Sequence, residues 1–343
     1  MNKTERDGKI LVINADLVNE LLSNEEALEL TDKALKDFAA GVVVNPVKLH
    51  LPLYPDTEGY INSMPTYHTV TKDCGMKFVS VFRDNLKNYG GPCTMGTVIL
   101  TDWQTGMPYA IVDGTNVTNA RTGAAAGLKI KYFTKPQDHI LTIIGAGAQG
   151  YSGFIMAMTA TGGKKFDEIR VNDVRPETID KFIAKAKVAF PDANYVPYTD
   201  NNEAVKGTDA IIIAAPAPFS ITERIDLDEG VTVAIIHDLM TVKAVSKFDK
   251  FYSDFPECAM ERFNQSLRNA SARTGEDYGQ LSLDMFTDIV GKAMAAEHPR
   301  TNDKDRILCL DVGIGIEDVS VARYVYRKAV EQDKGVVLDF QCF

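Results

Sequence analysis

From about residue 139 to 250 the chain alternates short β-prone runs, most of them apolar, with segments of helical spacing. Ile140–Ile144 precedes a helical stretch, Tyr151–Thr161, and Ile169–Asp173 precedes another, Pro176–Ala189. Ala210–Ala214 and Val231–Ile236 are two further apolar runs. Strands that are apolar at every position, rather than at every second one, fit a parallel sheet covered on both faces. Residues 1–135 are patterned differently. Helical spacing over Asn24–Ala40 puts Leu28, Leu30, Ala34, Leu35 and Phe38 on one stripe. Alternating or β-rich stretches follow at Lys48–Leu53, Tyr60–Met64, Met76–Phe82, Thr97–Asp102 and Pro108–Asp113. The Gly, Pro and Asp residues between them predict antiparallel strands. Gly114–Tyr132 is alanine-rich and helical, and Gly315–Glu331 is an amphipathic helix.

The first apolar run leads directly into Gly145-x-Gly147-x-x-Gly150. In such a loop Gly145 makes the strand-to-helix turn, Gly147 lets a pyrophosphate approach the backbone, and Gly150 lets helix and strand pack closely. Backbone groups from Gly145 through Ala148 and Gln149 to Gly150 would then cradle the phosphates at the helix start. Asp173 ends the second run and follows Gly150 by 23 residues, close to the roughly 20 expected of a ribose-binding carboxylate. That acid favours NAD(H), because it accepts from the ribose diol and repels a 2′-phosphate. Arg175, two residues on, is the counter-signal, since a guanidinium there can pair with that phosphate. The expected class is therefore α/β. A Rossmann-type dinucleotide-binding domain over 133–305 is inserted beside an antiparallel-sheet α+β domain made of 1–132 and 306–343.

Composition narrows the setting. A chain of 343 residues holds two ordinary domains, and 45% hydrophobic with 24% charged residues is a soluble globular balance. A net charge of −10 argues against nucleic acid or an anionic membrane surface as partner. The N-terminal residues carry both signs of charge without a signal-like apolar core, and the longest uncharged apolar run, Ala210–Phe219, is too short to span a bilayer. Five cysteines (74, 93, 258, 309, 342) form no C-x-x-C pair, which fits reduced thiols in a cytoplasm. The histidines (50, 68, 139, 237, 298) show no metal-ligand spacing, so no metal site is expected.

Several co-linear motifs resemble the ornithine cyclodeaminase/mu-crystallin family. They are Ser63-Met-Pro-Thr-Tyr67, Gly75-Met-Lys77, Val98-Ile-Leu-Thr-Asp-Trp-Gln-Thr-Gly106, Thr118-Asn-Ala-Arg121-Thr-Gly, the Gly145 loop, and Val312-Gly-Ile-Gly-Ile-Glu317-Asp318. Their order and spacing match from roughly residue 40 to 330. The resemblance implies a dinucleotide domain beside an antiparallel-sheet domain that forms a homodimer, and an enzyme acting on amino or imino acids.

Chemistry at the α-carbon of such a substrate needs a grip on its carboxylate and a group that moves a proton. Arg121 is the best clamp, because guanidinium binds carboxylate through two parallel hydrogen bonds. Strand alternation puts Lys77 on the face opposite Met76 and Phe78, where it is either solvent-facing or a buried cation; the family motif favours the buried cation. The resemblance adds Met64 to the substrate side and Thr122 to the cofactor side. Lys48 falls near the place where many relatives carry an arginine, so it is either a third positive group or a plain strand lysine. Asp238 lies at the carboxyl end of an apolar strand, where open α/β sheets place ligands. In the cyclodeaminases an aspartate at the matching place is thought to assist hydride and proton movement. The alternatives are that Asp238 caps a helix, or that His237 moves the proton.

Three departures from the family pattern qualify this. Cys309-Leu-Asp311 replaces a Phe-Lys-Ser run, Leu239-Met-Thr-Val-Lys replaces a Pro-Gly-Lys run, and Asn62 stands where enzymes acting on ornithine tend to carry an acid. The last removes an obvious anchor for a second amino group, although Glu58 and Asp84 are other acids in the region. The expected activity is an NAD(H)-dependent imine reductase or amino-acid dehydrogenase. An ornithine or lysine cyclodeaminase, with catalytic NAD and release of ammonia, is the second reading. A nucleotide-dependent binding protein without turnover is the third.

Overall fold

The computed structural model describes residues 8–54, 56–217, 219–296 and 299–340. Residues 1–7, His298 and Cys342, which entered the arguments above, lie outside them. The chain divides into two compact units, Met1–Arg121 with Ile314–Phe343, and Thr122–Gly313.

In chain order the first unit opens with β1 (Lys9–Ile13), α1 (Ala15–Leu21), α2 (Asn24–Ala39), β2 (Val43–Val44), β3 (Leu49–Pro52), β4 (Tyr60–His68) and β5 (Cys74–Val81). It continues with α3 (Asn85–Tyr89), β6 (Thr94–Thr101), β7 (Pro108–Asp113) and α4 (Gly114–Phe133), and the unit boundary falls inside α4. The second unit contains β8 (Ile140–Ile144), α5 (Ala148–Ala160), β9 (Glu168–Asn172), α6 (Pro176–Ala189), β10 (Asn194–Tyr198), α7 (Asn201–Val205), β11 (Ala210–Ala214) and α8 (Ile221–Arg224). It ends with β12 (Thr232–His237), α9 (Val242–Val245), β13 (Lys250–Ser253), α10 (Pro256–Thr274), β14 (Asp288–Ile289), α11 (Val290–Ala295) and β15 (Ile307–Leu310). The chain then returns to the first unit for α12 (Gly315–Glu331) and β16 (Val336–Asp339).

The first unit is a sheet in the order β16-β1-β7-β6-β5-β4-β2, with β3 also on β4. It is antiparallel as expected except at β1 and β7, which run parallel. Alternation decides its two faces. Met64, Lys77, Val98 and Val112 are register partners on one side, and this face packs beneath α12 around Leu100, Val319, Ala322 and Val325. Two glycines set how closely α12 approaches. A Cβ on Gly75 would collide with the Ile99 carbonyl and touch Val319, and one on Gly315 would lie 2.7 Å from the Met64 carbonyl oxygen.

The second unit is a wholly parallel sheet in the order β10-β9-β8-β11-β12-β15-β13-β14. The strand order reverses between β8 and β11, which makes the end of β8 a topological switch point. Alternate residues of β11 enter two separate cores: Ile211 and Ile213 one, Ala210 and Ile212 the other. That explains the strands' continuous apolar character. The observed units divide the chain elsewhere than the expected boundaries. Because β15 pairs with β12 and β13, residues 307–310 belong to the parallel sheet and not to the C-terminal segment of the first unit. No helix of the described residues is long and apolar enough to cross a membrane, and no cluster of His, Cys, Asp and Glu among them could hold a metal ion.

Candidate active site

The glycine loop follows β8 at the switch point. Gly145 adopts φ +97°, and a Cβ there would meet the Ala214 carbonyl oxygen at 2.7 Å, so only glycine fits. A Cβ on Gly150 would collide with the Gly145 carbonyl, which fixes the close strand–helix contact. Around Gly147, by contrast, a Cβ would meet nothing within 4 Å, so the loop has open ground beside its backbone. Gly147 is also the N-cap of α5 and supplies no side-chain cap, leaving Ala148 and Gln149 in the first turn. The Asp173 carboxylate accepts hydrogen bonds from Ala146 N (3.0 Å) and Arg175 N (3.0 Å), which places it against the loop. The Arg175 side chain is exposed, with Nε 3.5 Å from Asp173. This cradle and its acid fit a dinucleotide. Replacing Asp173 by Ser is expected to erode a preference for NADH over NADPH, as read from paired fluorescence titrations; an unchanged ratio would remove Asp173 from cofactor choice. Thr122 is buried in the second unit's part of α4.

In the first unit a four-residue charge cluster is buried. Lys77, on β5, is fully buried; its Nζ donates to Asp318 Oδ1 (2.7 Å) and Thr118 Oγ1 (3.3 Å). Arg121 donates through Nε to the same Asp318 oxygen (2.9 Å) and through Nη1 to Glu317 Oε2 (3.3 Å). Glu317 Oε2 also accepts from Ile314 N (3.1 Å), so the acid that caps α12 belongs to the cluster. Burial and the neighbouring Arg121 push the Lys77 ammonium down to about 8, against the opposing pull of Asp318. Both cations are legible in the sequence, and the structure brings them together. Glu317 and Asp318 join them, a role that their motif alone does not assign, although two acids in the first turn of an otherwise apolar helix face are a legible signal.

The remaining candidates are dispersed. Met64 is buried on β4 in register with Lys77. Lys48 is half-buried in the segment before β3. Asn62 Oδ1 lies 2.8 Å from His50 Nδ1, and Glu58 and Asp84 are exposed.

Asp238, the proton-handling candidate with a helix cap as its alternative, has both carboxylate oxygens hydrogen-bonded. Oδ1 accepts from Ile221 N (2.9 Å) and Leu239 N (2.8 Å), and Oδ2 from Thr222 N (2.9 Å) and Thr222 Oγ1 (2.6 Å). Burial raises its pKa, and these hydrogen bonds oppose the rise. The geometry is that of a cap holding the start of α8. An amide would turn its NH2 toward at least one backbone N–H whichever way it flipped. Asp238→Asn is thus expected to lower stability by about 1–3 kcal/mol in a denaturant titration. A variant of undiminished stability with lost turnover would favour the proton-handling role over the cap. His237 is half-buried at the end of β12.

The profile of the ornithine cyclodeaminase/mu-crystallin family matches residues 9–333. The chain belongs to this family. It is 28% identical over 341 residues to a Δ1-pyrroline-2-carboxylate reductase of Bacillus cereus, covering 96% of this chain and all of that one. Among solved structures it resembles Thermococcus litoralis Δ1-pyrroline-2-carboxylate reductase in complex with NADH and L-proline. That match has a TM-score of 0.82 at 24% identity over 95% of this chain and 99% of that one. An archaeal alanine dehydrogenase dimer with bound NAD follows, with a TM-score of 0.81 at 23% identity, covering 97% and 100%. The shared fold comprises a Rossmann-like α/β unit and a predominantly antiparallel one.

Proposed function

We propose that this member of the family is an NAD(H)-dependent oxidoreductase that reduces the C=N bond at the α-carbon of a small imino acid, or oxidises the corresponding amino acid. The observation that carries the reading is the pair of buried cations, Lys77 and Arg121, braced on one aspartate in a chain that also carries an intact dinucleotide loop. Buried cations suit a carboxylate, and Lys77 and Arg121 would hold that of the substrate. Residues Gly145–Gly150 and Asp173 would hold the nucleotide, whose nicotinamide supplies or accepts the hydride. Asn62 in place of an acid favours a substrate without a second amino group, as do the names of the reductase and dehydrogenase relatives.

The same reading places the protein in the cytoplasm as a homodimer. Leu49, Leu51, Phe78 and Met95 lie on the sheet face opposite α12, each more than 40% exposed, and the proposed partner is a second copy of this face.

The activity is tested by following NADH absorbance and ammonia release together across a panel of cyclic imino, amino and keto acids. Net NADH consumption with a cyclic imino acid supports a reductase. Ammonia release without net cofactor turnover indicates a cyclodeaminase, and silence on both indicates a binding protein. The carboxylate grip also predicts a pH profile. Lys77 is charged below about 8 and loses its proton above it. KM for a carboxylate substrate should therefore rise above that pH, by up to about tenfold per unit. A KM that stays flat to pH 10 would exclude Lys77 from the grip.

A further inference from the structure

Counting donors and acceptors in the buried cluster shows a pair of unused groups. An ammonium has three N–H donors, and Lys77 spends two, on Asp318 and Thr118. A carboxylate has two acceptor oxygens. Asp318 takes both Lys77 and Arg121 on Oδ1, while Oδ2 is buried and, among the described residues, accepts nothing. Both side chains are at most 1% exposed, so bulk solvent does not reach these groups. An unused donor and an unused acceptor therefore sit on the two partners of one 2.7 Å ion pair. Buried polar groups left this way are costly unless a ligand completes them.

Formal charge points the same way. Lys77 and Arg121 contribute two positive charges, and Glu317 and Asp318 two negative ones. A carboxylate entering alone would leave a net negative charge in a buried site. A zwitterion would leave the cluster neutral.

Resting on the carboxylate-binding role proposed for Lys77 and Arg121, we infer that Asp318 is a specificity-determining residue whose Oδ2 accepts the substrate's α-N–H. The site thereby selects zwitterionic amino and imino acids over keto, hydroxy and purely carbocyclic acids. Lys77 binds the carboxylate end and Asp318 the nitrogen end of one ligand. The pairing also explains why a carboxylate is placed between two cations meant for an anionic group: it orients both, and it recognises the positive end of the ligand.

The test compares L-proline with cyclopentanecarboxylate, which keeps the ring and the carboxylate but has no nitrogen. Binding of each to the NAD+-loaded protein is measured by calorimetry, for the unaltered chain and for Asp318→Asn. The unaltered chain should prefer proline by roughly tenfold to a hundredfold, the worth of one charge-assisted hydrogen bond. Asp318→Asn should abolish that preference, with cyclopentanecarboxylate bound equally or more tightly and NAD+ affinity unchanged. Equal affinities in the unaltered chain, or an undiminished preference in the variant, would overturn the inference while leaving the carboxylate grip in place. Binding of neither acid to the unaltered chain would overturn the grip itself, and the inference with it. Should the variant not fold, the unaltered chain decides alone: a tenfold preference supports the inference and parity overturns it.

Discussion

Lys77→Met is expected to cost one to two decades in kcat/KM and to destabilise the first unit at the same time. Met matches the lysine stem in length and packs well on β5, so the change isolates the ammonium. The substrate carboxylate then loses one charge-assisted hydrogen bond, worth about 1.5–3 kcal/mol. Asp318 keeps Arg121 but loses its shorter partner, at 2.7 Å, inside a fully buried cluster. Removing one member of a buried ion pair costs about 3–5 kcal/mol, with Arg121 moderating the loss here. Lys77→Met combined with Asp318→Leu should recover part of the stability and none of the activity. Steady-state kinetics beside a denaturant titration separates the two effects. Unchanged kcat/KM in Lys77→Met would remove the lysine from substrate binding.

Lys129→Met should produce a large loss of stability in the second unit. Lys129 is fully buried on α4, and its ammonium pairs with Asp311 just past β15. Asp311 is itself only 7% exposed, and its backbone N–H is fixed to the Ile235 carbonyl at 3.1 Å, so it cannot swing out to water. Removing one member of a buried ion pair costs about 3–5 kcal/mol, or roughly 10 °C in the unfolding midpoint of a unit this size, lessened by whatever other contacts Asp311 keeps. The double change Lys129→Met with Asp311→Leu should restore most of that, because two apolar groups replace a desolvated pair. A single variant as stable as the parent would show that the pair contributes nothing. The pair also explains one departure from the family pattern: Asp311, within Cys309-Leu-Asp311, is matched by a lysine from a distant helix.

The elements most legible in sequence were those with one dominant period. The strands Ile140–Ile144 and Ala210–Ala214 and the helices Pro176–Ala189 and Gly315–Glu331 have the bounds that their apolar patterns indicated. The edges were harder to read. β16 (Val336–Asp339) is exposed at every position and β1 is five residues long, so neither had a periodicity to detect, and their pairing is a matter of tertiary contact. α10 was missed despite Pro256 at its start and Gly275 in the left-handed region at its end, which are ordinary punctuation for a helix. The site divides along the same line. The Gly145 loop is local in sequence, so spacing revealed it. The Lys77–Arg121–Glu317–Asp318 cluster joins residues up to 241 positions apart, and only the motifs on either side hinted that they meet. Asp238 lies at a strand's carboxyl end, which suggests chemistry, while its hydrogen bonds to the start of α8 are visible only in three dimensions.

The central claim is net hydride transfer to the α-carbon of an imino acid, and isotope transfer tests it most directly. The protein is incubated with Δ1-pyrroline-2-carboxylate and NADH carrying deuterium at both C4 positions, and the amino-acid product is analysed by mass spectrometry and proton NMR. The account predicts one deuterium at Cα of proline for each NAD+ formed. NADH that remains unconsumed with this and every other cyclic or acyclic α-imino acid, or proline formed without deuterium at Cα, would contradict it.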